Sequence, residues 1–502
     1  MEKNTEHKLG NKIALAIAAI LIPFFSFSQV RIDWQQCYGN ASSMDLATSI
    51  LPTAGEYLVL GTVYHPNNPG MVSCETENNW SIPWLLRING QGELVDQRCW
   101  PSLLPGESIS IKEAKTGNDE YYVNMHEFGE VTVRKIDDGL NEIWSRRVGY
   151  FGTSMFPTDD GGVLVGGSYG YWDKYLEMDS LLKLDGEGNA EWGLCLGLPS
   201  FSRHVSIYQA KDGCYYVLGP IETGTSLIRI GSNGQIEWRR NYGESSFDIL
   251  DNMVELEDGF LLSGRVTSEM EGQQHGGGDV WLVRTDKEGD VQWSRCYGGS
   301  YFDGCNTVFH NPNGGFTVFA NSNSNDGDVE SNSQGAANVG KIWVFHVNPS
   351  GELQWERSFG AVNQDVCCND VAQTKDYQYV VAGWARWEES YSGDVNCSNI
   401  ELIPGSGTNY WVLHVTDTIN SAGLDEPLQQ AGMELYPNPT DGTVFIMGME
   451  PTEVRVYDAL GQWVKTYRGT DRVFLGDLPK GLYLIKATCE DGKNCVGKVV
   501  KE

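Results

Sequence analysis

The stretch Leu282-Val-Arg-Thr-Asp-Lys-Glu-Gly-Asp-Val-Gln-Trp293 returns along the chain as Leu181-Leu-Lys-Leu-Asp-Gly-Glu-Gly-Asn-Ala-Glu-Trp192 and as Leu227-Ile-Arg-Ile-Gly-Ser-Asn-Gly-Gln-Ile-Glu-Trp238. Each copy reads as an apolar strand, a tight turn supplied by Asp, Asn and Gly, and a second strand that ends in tryptophan. Seven tryptophans mark such phrases, namely Trp34, Trp100, Trp144, Trp192, Trp238, Trp293 and Trp355, at intervals of 44 to 66 residues. A period near 50 written in strand residues is the signature of a β-propeller, whose blades bury their faces only against one another.

Working outward, each repeat divides into four strand-like runs. The inner hairpins include 57–63, 163–169, 215–221, 260–266, 316–322 and 379–385, most preceded by Asp-Gly or Asn-Gly. The third run ends at a short turn, and the fourth carries the tryptophan. Six of the seven tryptophans have glycine five residues on (Gly39, Gly149, Gly197, Gly243, Gly298 and Gly360), and Trp100 is the exception. Near the end of the third run stands a basic residue in every repeat: Arg87, Lys135, Lys183, Arg229, Arg284, His346 and His414. An ion pair repeated around a ring is the simple reading, and a cationic ring lining the channel is the functional one. The chain starts on a fourth run, 30–37, and its repeats finish on a third, so the first strand is expected to complete the last blade. That phase predicts an all-β chain: a seven-bladed β-propeller over 29–417, a linker at 418–431 and a small C-terminal antiparallel β-sandwich at 432–502. Insertions at 65–80, 321–340 and 386–409 lie between second and third runs, where long loops are either functional or decoration.

Residues 1–28 have the form of a signal peptide: Lys3, Lys8 and Lys12, then an apolar run from 13 to 25, then small residues before a cut between Ser28 and Gln29. No other stretch approaches the ~20 apolar residues of a membrane-crossing helix, so no transmembrane anchor is expected. The formal charge is −31, and losing the leader makes it −32. Such a chain repels nucleic acid and anionic lipid, which are excluded as partners. Twelve cysteines in an exported chain make disulfides plausible. Cys489 and Cys495 could face each other across a hairpin, while Cys37, Cys195 and Cys296 share a slot three residues after a repeat tryptophan, which suits a buried position as readily as a bond.

From residue 433 the pattern changes to short alternating strands after Tyr436-Pro437-Asn438-Pro439 with Gly442. Val454-Arg-Val-Tyr457-Asp458 with Gly461 follows, then Leu478 with Gly481 and Tyr483, and the basic ending Gly497–Glu502. These phrases, in this order, resemble the type A C-terminal sorting domain of the type IX secretion system. The resemblance implies Sec export to the periplasm, passage through the outer membrane by the type IX machinery, and a final place outside the cell or on its surface. The Cys489/Cys495 pair departs from the pattern. More loosely, the repeats resemble tryptophan-containing proteins that precede such domains, with Asn325-Asp-Gly-Asp-Val329 typical of them, and repeats of quinone-cofactor dehydrogenases.

Searches for chemistry find no G-x-S-x-G, H-E-x-x-H, P-loop, dinucleotide fingerprint or sialidase-type repeat. No catalytic residue and no cofactor is assigned. The best metal candidate is calcium at Asp326, Asp328 and Glu330, with Asp394 a weaker echo. The leading expectation is a non-catalytic binding module for a glycan or surface protein. A hydrolase or lyase using carboxylates at the channel, and a plain display scaffold, are the alternatives.

Overall fold

The computed structural model describes residues 30–40, 44–64, 71–73, 81–100, 107–127, 130–149, 151–169, 178–199, 205–268, 275–312, 314–332, 338–375, 377–388, 393–396, 406–418, 434–447, 451–457, 463–488 and 494–501. The leader with Ser28 and Gln29, most of the linker, Gly461 and Cys489 lie outside them. Two compact units result, the larger running to Thr416 without Lys375–Gln378, and the smaller made of that short segment with Asp417 onward.

Among the described residues the larger unit consists of seven four-stranded antiparallel sheets. In chain order they are sheet I (46–99), II (107–149), III (151–199), IV (206–242), V (249–297), VI (303–359) and VII (366–417), whose fourth strand is Val30–Tyr38. Strand period explains the packing: successive side chains leave opposite faces, so each sheet has two apolar faces to cover. In sheet V, Leu262 packs with sheet IV and its neighbour Leu261 with sheet VI. Seven apolar clusters each draw on two consecutive sheets, and the cluster of Tyr38, Val380, Ala382, Tyr410 and Val412 with Val59 and Trp84 joins sheet VII to sheet I. First strands lie side by side in chain order. Asn369 Nδ2 donates to Ala47 O at 2.6 Å and Ser49 Oγ to Asp370 Oδ2 at 2.8 Å, so the last sheet stands beside the first. This is an all-β chain of repeated four-stranded sheets in the arrangement of propeller blades.

The repeat phrase builds the contact between sheets. In sheets I, III, V and VI the turn between third and fourth strands closes on an Asn or Asp whose side chain accepts amides two and four residues on, as Asp286 does from Glu288 (3.0 Å) and Asp290 (2.8 Å). Its glycine has positive φ, +83° at Gly188 and +82° at Gly289. The tryptophan of the preceding sheet lies against that glycine. A Cβ there would sit 3.0 Å from Trp144 at Gly188, 3.1 Å from Trp192 at Gly234, 3.2 Å from Trp238 at Gly289 and 3.1 Å from Trp293 at Gly351. Two residues on, Arg146 donates to Gly188 O and Arg295 to Ser350 O. Four residues on, Tyr242 and Tyr297 donate their hydroxyls to Gly289 O and Gly351 O.

One of the seven expected tryptophans is displaced. The register places Asp96, not Trp100, opposite Arg87, just as Trp144, Trp192, Trp238, Trp293 and Trp355 stand opposite Lys135, Lys183, Arg229, Arg284 and His346. Trp100 occupies the slot of Tyr242 and Tyr297 and is buried among Leu58, Leu85 and Leu140. The next sheet answers the change: its turn position carries Leu140, at φ 58°, instead of glycine. With no indole overhead, a side chain fits. The other tryptophans are half-buried apart from Trp355, so each covers one face of a turn instead of filling a closed core.

The smaller unit has a three-stranded sheet (Glu434–Tyr436, Thr443–Met447, Arg472–Phe474) and a four-stranded one (Trp463–Arg468, Glu453–Tyr457, Gly481–Thr488, Asn494–Lys501). Leu435, Val444, Ile446, Val454, Val456, Val473, Ile485 and Val499 form one apolar cluster between them.

Connections between sheets are held by buried carboxylates. Asp248 is fully buried and accepts the amides of Glu244 (2.9 Å), Ser245 (3.0 Å), Thr267 (2.8 Å) and Ser268 (3.0 Å). Burial alone would raise its pKa, but the Ser268 hydroxyl and these amides outweigh it and hold the carboxyl down at about 2. The unfolded chain therefore takes the proton first as pH falls, and this stabilisation is present above pH ~4 and lost towards pH ~2. Asp248→Asn should cost ~1–2 kcal/mol in urea unfolding at neutral pH, with the gap to the parent closing as the acid limit is approached. Trp238→Ala should cost ~2–3 kcal/mol by the same measurement, below the ~3–5 kcal/mol of a fully enclosed aromatic. A loss below ~1 kcal/mol would show that the indole is not holding the neighbouring turn.

Candidate functional site

At the inner edge of the ring, five of the sheets depart from regular pairing. First and second strands slip by one residue between Ala47 and Ser49, Ser108 and Ser110, Gly152 and Ser154, Leu250 and Asn252, and Cys305 and Thr307. A bulge frees one side chain from the pairing and re-aims it. Among the residues so freed are Thr48, Asp251 and Asn306. Several bulge-region groups bond to the next inner strand: Asn306 Nδ2 donates to Cys368 O at 2.8 Å, and Asn321 Nδ2 donates to the same oxygen at 2.8 Å.

Between sheets V and VI this edge opens into a cavity of about 160 Å³ lined by Asp251, Arg265, Phe302, Cys305, Asn306 and Asn321, together with Ile249 and two glycines. Burial pushes the Asp251 carboxyl up to about 7, against a smaller downward pull from Arg265 and a hydrogen bond from Asn252. Near neutral pH this group is poised between acid and carboxylate. Arg265 lies over the Phe302 ring at 5.3 Å. Its Nε, and Oδ1 of Asn306, are buried without a hydrogen-bond partner. Tyr208 donates its hydroxyl to the Asp251 carbonyl at 3.2 Å, and burial raises the phenol's pKa. The Cys305 thiol is likewise pushed up by burial, so it stays protonated and is no nucleophile.

Around the same end the inter-sheet connections expose apolar side chains. Met44, Phe247 and Phe302 each precede a buried aspartate and are 58%, 63% and 37% exposed. Tyr301 and Val362 lie on the same connections and are exposed too. A polar cavity with an apolar rim is the usual make-up of a ligand site.

The residues singled out from sequence fall into separate places. The basic series is occupied in ion pairs and hydrogen bonds within and between sheets. Lys135 reaches Glu120 (2.8 Å), Lys183 reaches Asp160 and Glu191 (2.9 Å each), Arg229 reaches Asp212 (2.9 Å), and Arg87 reaches Asp138 (3.0 Å). His414 contacts Asp33 at 2.9 Å, and His346 stacks on Trp355, its pKa lowered by burial to about 4. Asp326 accepts from Ser300 N at 2.7 Å and from its hydroxyl, Asp328 accepts from Gly298 N at 3.2 Å, and Glu330 is exposed. Asp394 repeats the Asp328 role on Gly360 N at 3.1 Å. Among the described residues no three His, Cys, Asp or Glu side chains form a ready metal-binding group. Cys37 and Cys99 are disulfide-bonded, whereas Cys195 is exposed and Cys296 buried, so the shared slot has no single environment. Asp251 and Arg265 carried no sequence signal of their own, because the bulge that presents them is a property of pairing.

In the smaller unit the Tyr-Pro-Asn-Pro turn is pinned to the final strand. Asn438 Oδ1 accepts from Val500 N at 3.0 Å and Thr440 N donates to Val500 O at 2.8 Å. Tyr436 is 69% exposed. Gly442 N donates to Thr440 Oγ1 at 3.2 Å. Tyr483 is buried and donates to Pro479 O at 2.8 Å, just before Gly481. No helix among the described residues is long and apolar enough to cross a membrane.

No curated protein matches the chain in sequence. Solved structures similar to it include the Dos1 propeller (11% identity, 77% of this chain and 95% of that one, TM-score 0.44). A protein of unknown function from Bacteroides caccae (14%, 63% and 94%, 0.36) and a quinonprotein alcohol dehydrogenase-like protein from Bacteroides thetaiotaomicron (11%, 62% and 66%, 0.37) are also similar. Residues 434–502 match the family described as secretion system C-terminal sorting domain. The chain thus ends in a sorting domain of the type IX secretion system, which implies export to the cell surface or the extracellular space.

Proposed function

We propose that the chain is a seven-bladed propeller over 29–417, joined by a linker at 418–431 to a sandwich-like sorting module at 432–502, and that it works as a non-catalytic binding module outside the cell. Removal of 1–28 before Gln29 and recognition of the module by the type IX machinery deliver it. Its ligand, a glycan or a surface protein, is received at the cavity between sheets V and VI. One observation carries the choice of binding over catalysis: among the described residues Asp251 is the sole carboxyl lining that cavity. Hydrolysis of a glycoside needs two, set apart for acid and nucleophile or base. Arg265, with its buried unpaired Nε, and Asn306, with its unpaired Oδ1, are instead groups that a bound ligand would satisfy. Phe302 offers a ring face for stacking.

A second reading has a specific observation behind it. A carboxyl held near pKa 7 beside an arginine suits a general acid or base in a lyase or hydrolase, since such groups work best close to ambient pH. The mature protein, incubated with a panel of extracellular polysaccharides and scored for retention and for new chain ends, separates the two. Retention without new ends, weakened ~10-fold or more by Arg265→Ala, is the expected outcome, in line with loss of a charged hydrogen bond worth ~1.5–3 kcal/mol. New ends that vanish in Asp251→Asn would replace the binding account by the catalytic one.

A further inference from the structure

The cavity between sheets V and VI has acceptors to fill and one cation to fill them against. Asn306 Nδ2 and Asn321 Nδ2 both donate to Cys368 O at 2.8 Å, and Asn321 Oδ1 accepts from Cys368 N at 2.8 Å. The two amides thus commit their nitrogens to sheet VII, and Asn306 Oδ1 is left buried without a partner. The Asp251 carboxyl accepts from Asn252 Nδ2 at 2.8 Å, which uses one of the roughly four acceptor sites that a carboxylate offers. Against these acceptors the lining sets Arg265, whose Nε is buried and unpaired and whose guanidinium lies over Phe302 at 5.3 Å. Unfilled polar groups in a sheltered site are costly until a ligand supplies what they lack.

Each class of ligand meets this lining differently. An anion brings acceptors alone: it suits Arg265, but it leaves Asn306 Oδ1 unfilled and faces Asp251 at close range. An ammonium group brings donors alone and meets Arg265. A sugar hydroxyl donates and accepts at once, so adjacent hydroxyls can give to Asp251 and Asn306 while taking from Arg265. The C–H face of a pyranose suits the ring of Phe302, which Gly304 leaves room for: a Cβ there would stand 3.1 Å from Phe302 Cζ. Size points the same way, since a cavity of ~150 Å³ holds one benzene ring, and this one measures about 160 Å³. One six-membered ring fits, and a run of two does not. The formal charge of −31 also disfavours a polyanion at long range.

We propose, resting on the binding reading above, that this cavity takes the terminal residue of a neutral glycan. A single pyranose with adjacent free hydroxyls donates to the Asp251 carboxylate and to Asn306 Oδ1 and accepts from Arg265, and the remaining chain leaves past the exposed Phe302 and Tyr301. The ionisable groups that act on Asp251 come from three sheets: Tyr208 of sheet IV, Arg265 of its own sheet and Cys305 of sheet VI. Burial keeps the phenol and the thiol protonated, which leaves Asp251, at about 7, as the group of this set that titrates near neutral pH. A hydroxyl that donates to Asp251 favours its ionised form, so binding releases a proton and strengthens as pH rises through 7. A carboxylate ligand favours the protonated form and reverses that sign.

The mature full-length protein is titrated between pH 6 and pH 8 with the methyl glycosides of glucose, galactose, mannose, fucose and N-acetylglucosamine. The methyl glycosides of glucuronic and galacturonic acid are run beside them, and binding is followed by heat and by ligand NMR. The expected result is that a neutral glycoside binds ~10-fold more tightly at pH 8 than at pH 6, as the ionised fraction of Asp251 grows from about a tenth to about nine tenths. Asp251→Asn should remove that pH dependence. Phe302→Ala, a change at the exposed rim, should weaken binding ~2–10-fold. The proposal is overturned if the uronides bind more tightly than the neutral glycosides, or if affinity for the neutral ones does not rise with pH. If the protein retains a polysaccharide but binds no neutral glycoside, the terminal-residue inference fails while the binding reading stands. If it does neither, both fail.

Discussion

The ring depends on an indole laid over a glycine of the next sheet. A turn with positive φ and no Cβ lets the ring of Trp144 settle on Gly188, and the same pairing recurs for Trp192, Trp238 and Trp293. Once the indole is seated, the arginine two residues on and the tyrosine four residues on reach carbonyls of the same turn. The fourth strand of one sheet thereby fixes the angle at which the next one stands. Half-buried aromatics used this way contribute through contact area and orientation together.

Sheet I shows the constraint by breaking it. Where Asp96 replaces the tryptophan, Leu140 replaces the glycine, and Trp100 moves the aromatic mass four residues along into a closed cluster. Two changes in different sheets make physical sense only as a pair. Arg98 still donates to the Leu140 carbonyl, so the polar half of the grip survives when the aromatic half is gone.

Much of this was legible because it is periodic. The four-run repeat, the turn glycines and the basic series follow from spacing alone, whereas the sorting module is legible through the family resemblance that its Tyr436–Pro439 turn and Tyr483 carry. What escaped sequence is whatever depends on cross-strand register. Trp100 was counted with the other tryptophans because spacing near 50 does not distinguish a residue from one four places away on the same strand. Asp251 looked like any surface acid, and only the bulge at Leu250–Asn252 turns it into a buried group at the inner edge. Asp326 and Glu330 drew attention as closely spaced acids, yet Asp326 is taken up by Ser300 and Glu330 is exposed. Net charge was equally blunt: a surplus of acid did not reveal that Lys135 and Lys183 are buried in ion pairs.

Indole and glycine on neighbouring sheets act as one unit, and a double-mutant cycle of Trp144→Ala and Gly188→Ala in urea unfolding measures how strongly they are coupled. Adding a Cβ at Gly188 should cost ~1–2 kcal/mol beneath the indole, and only the smaller backbone part of that once the indole is removed. A coupling of ~0.5–1 kcal/mol between the two sites is the predicted result. Strict additivity would mean that the two do not act together, leaving the glycine as a turn requirement alone and the tryptophan as ordinary surface cover.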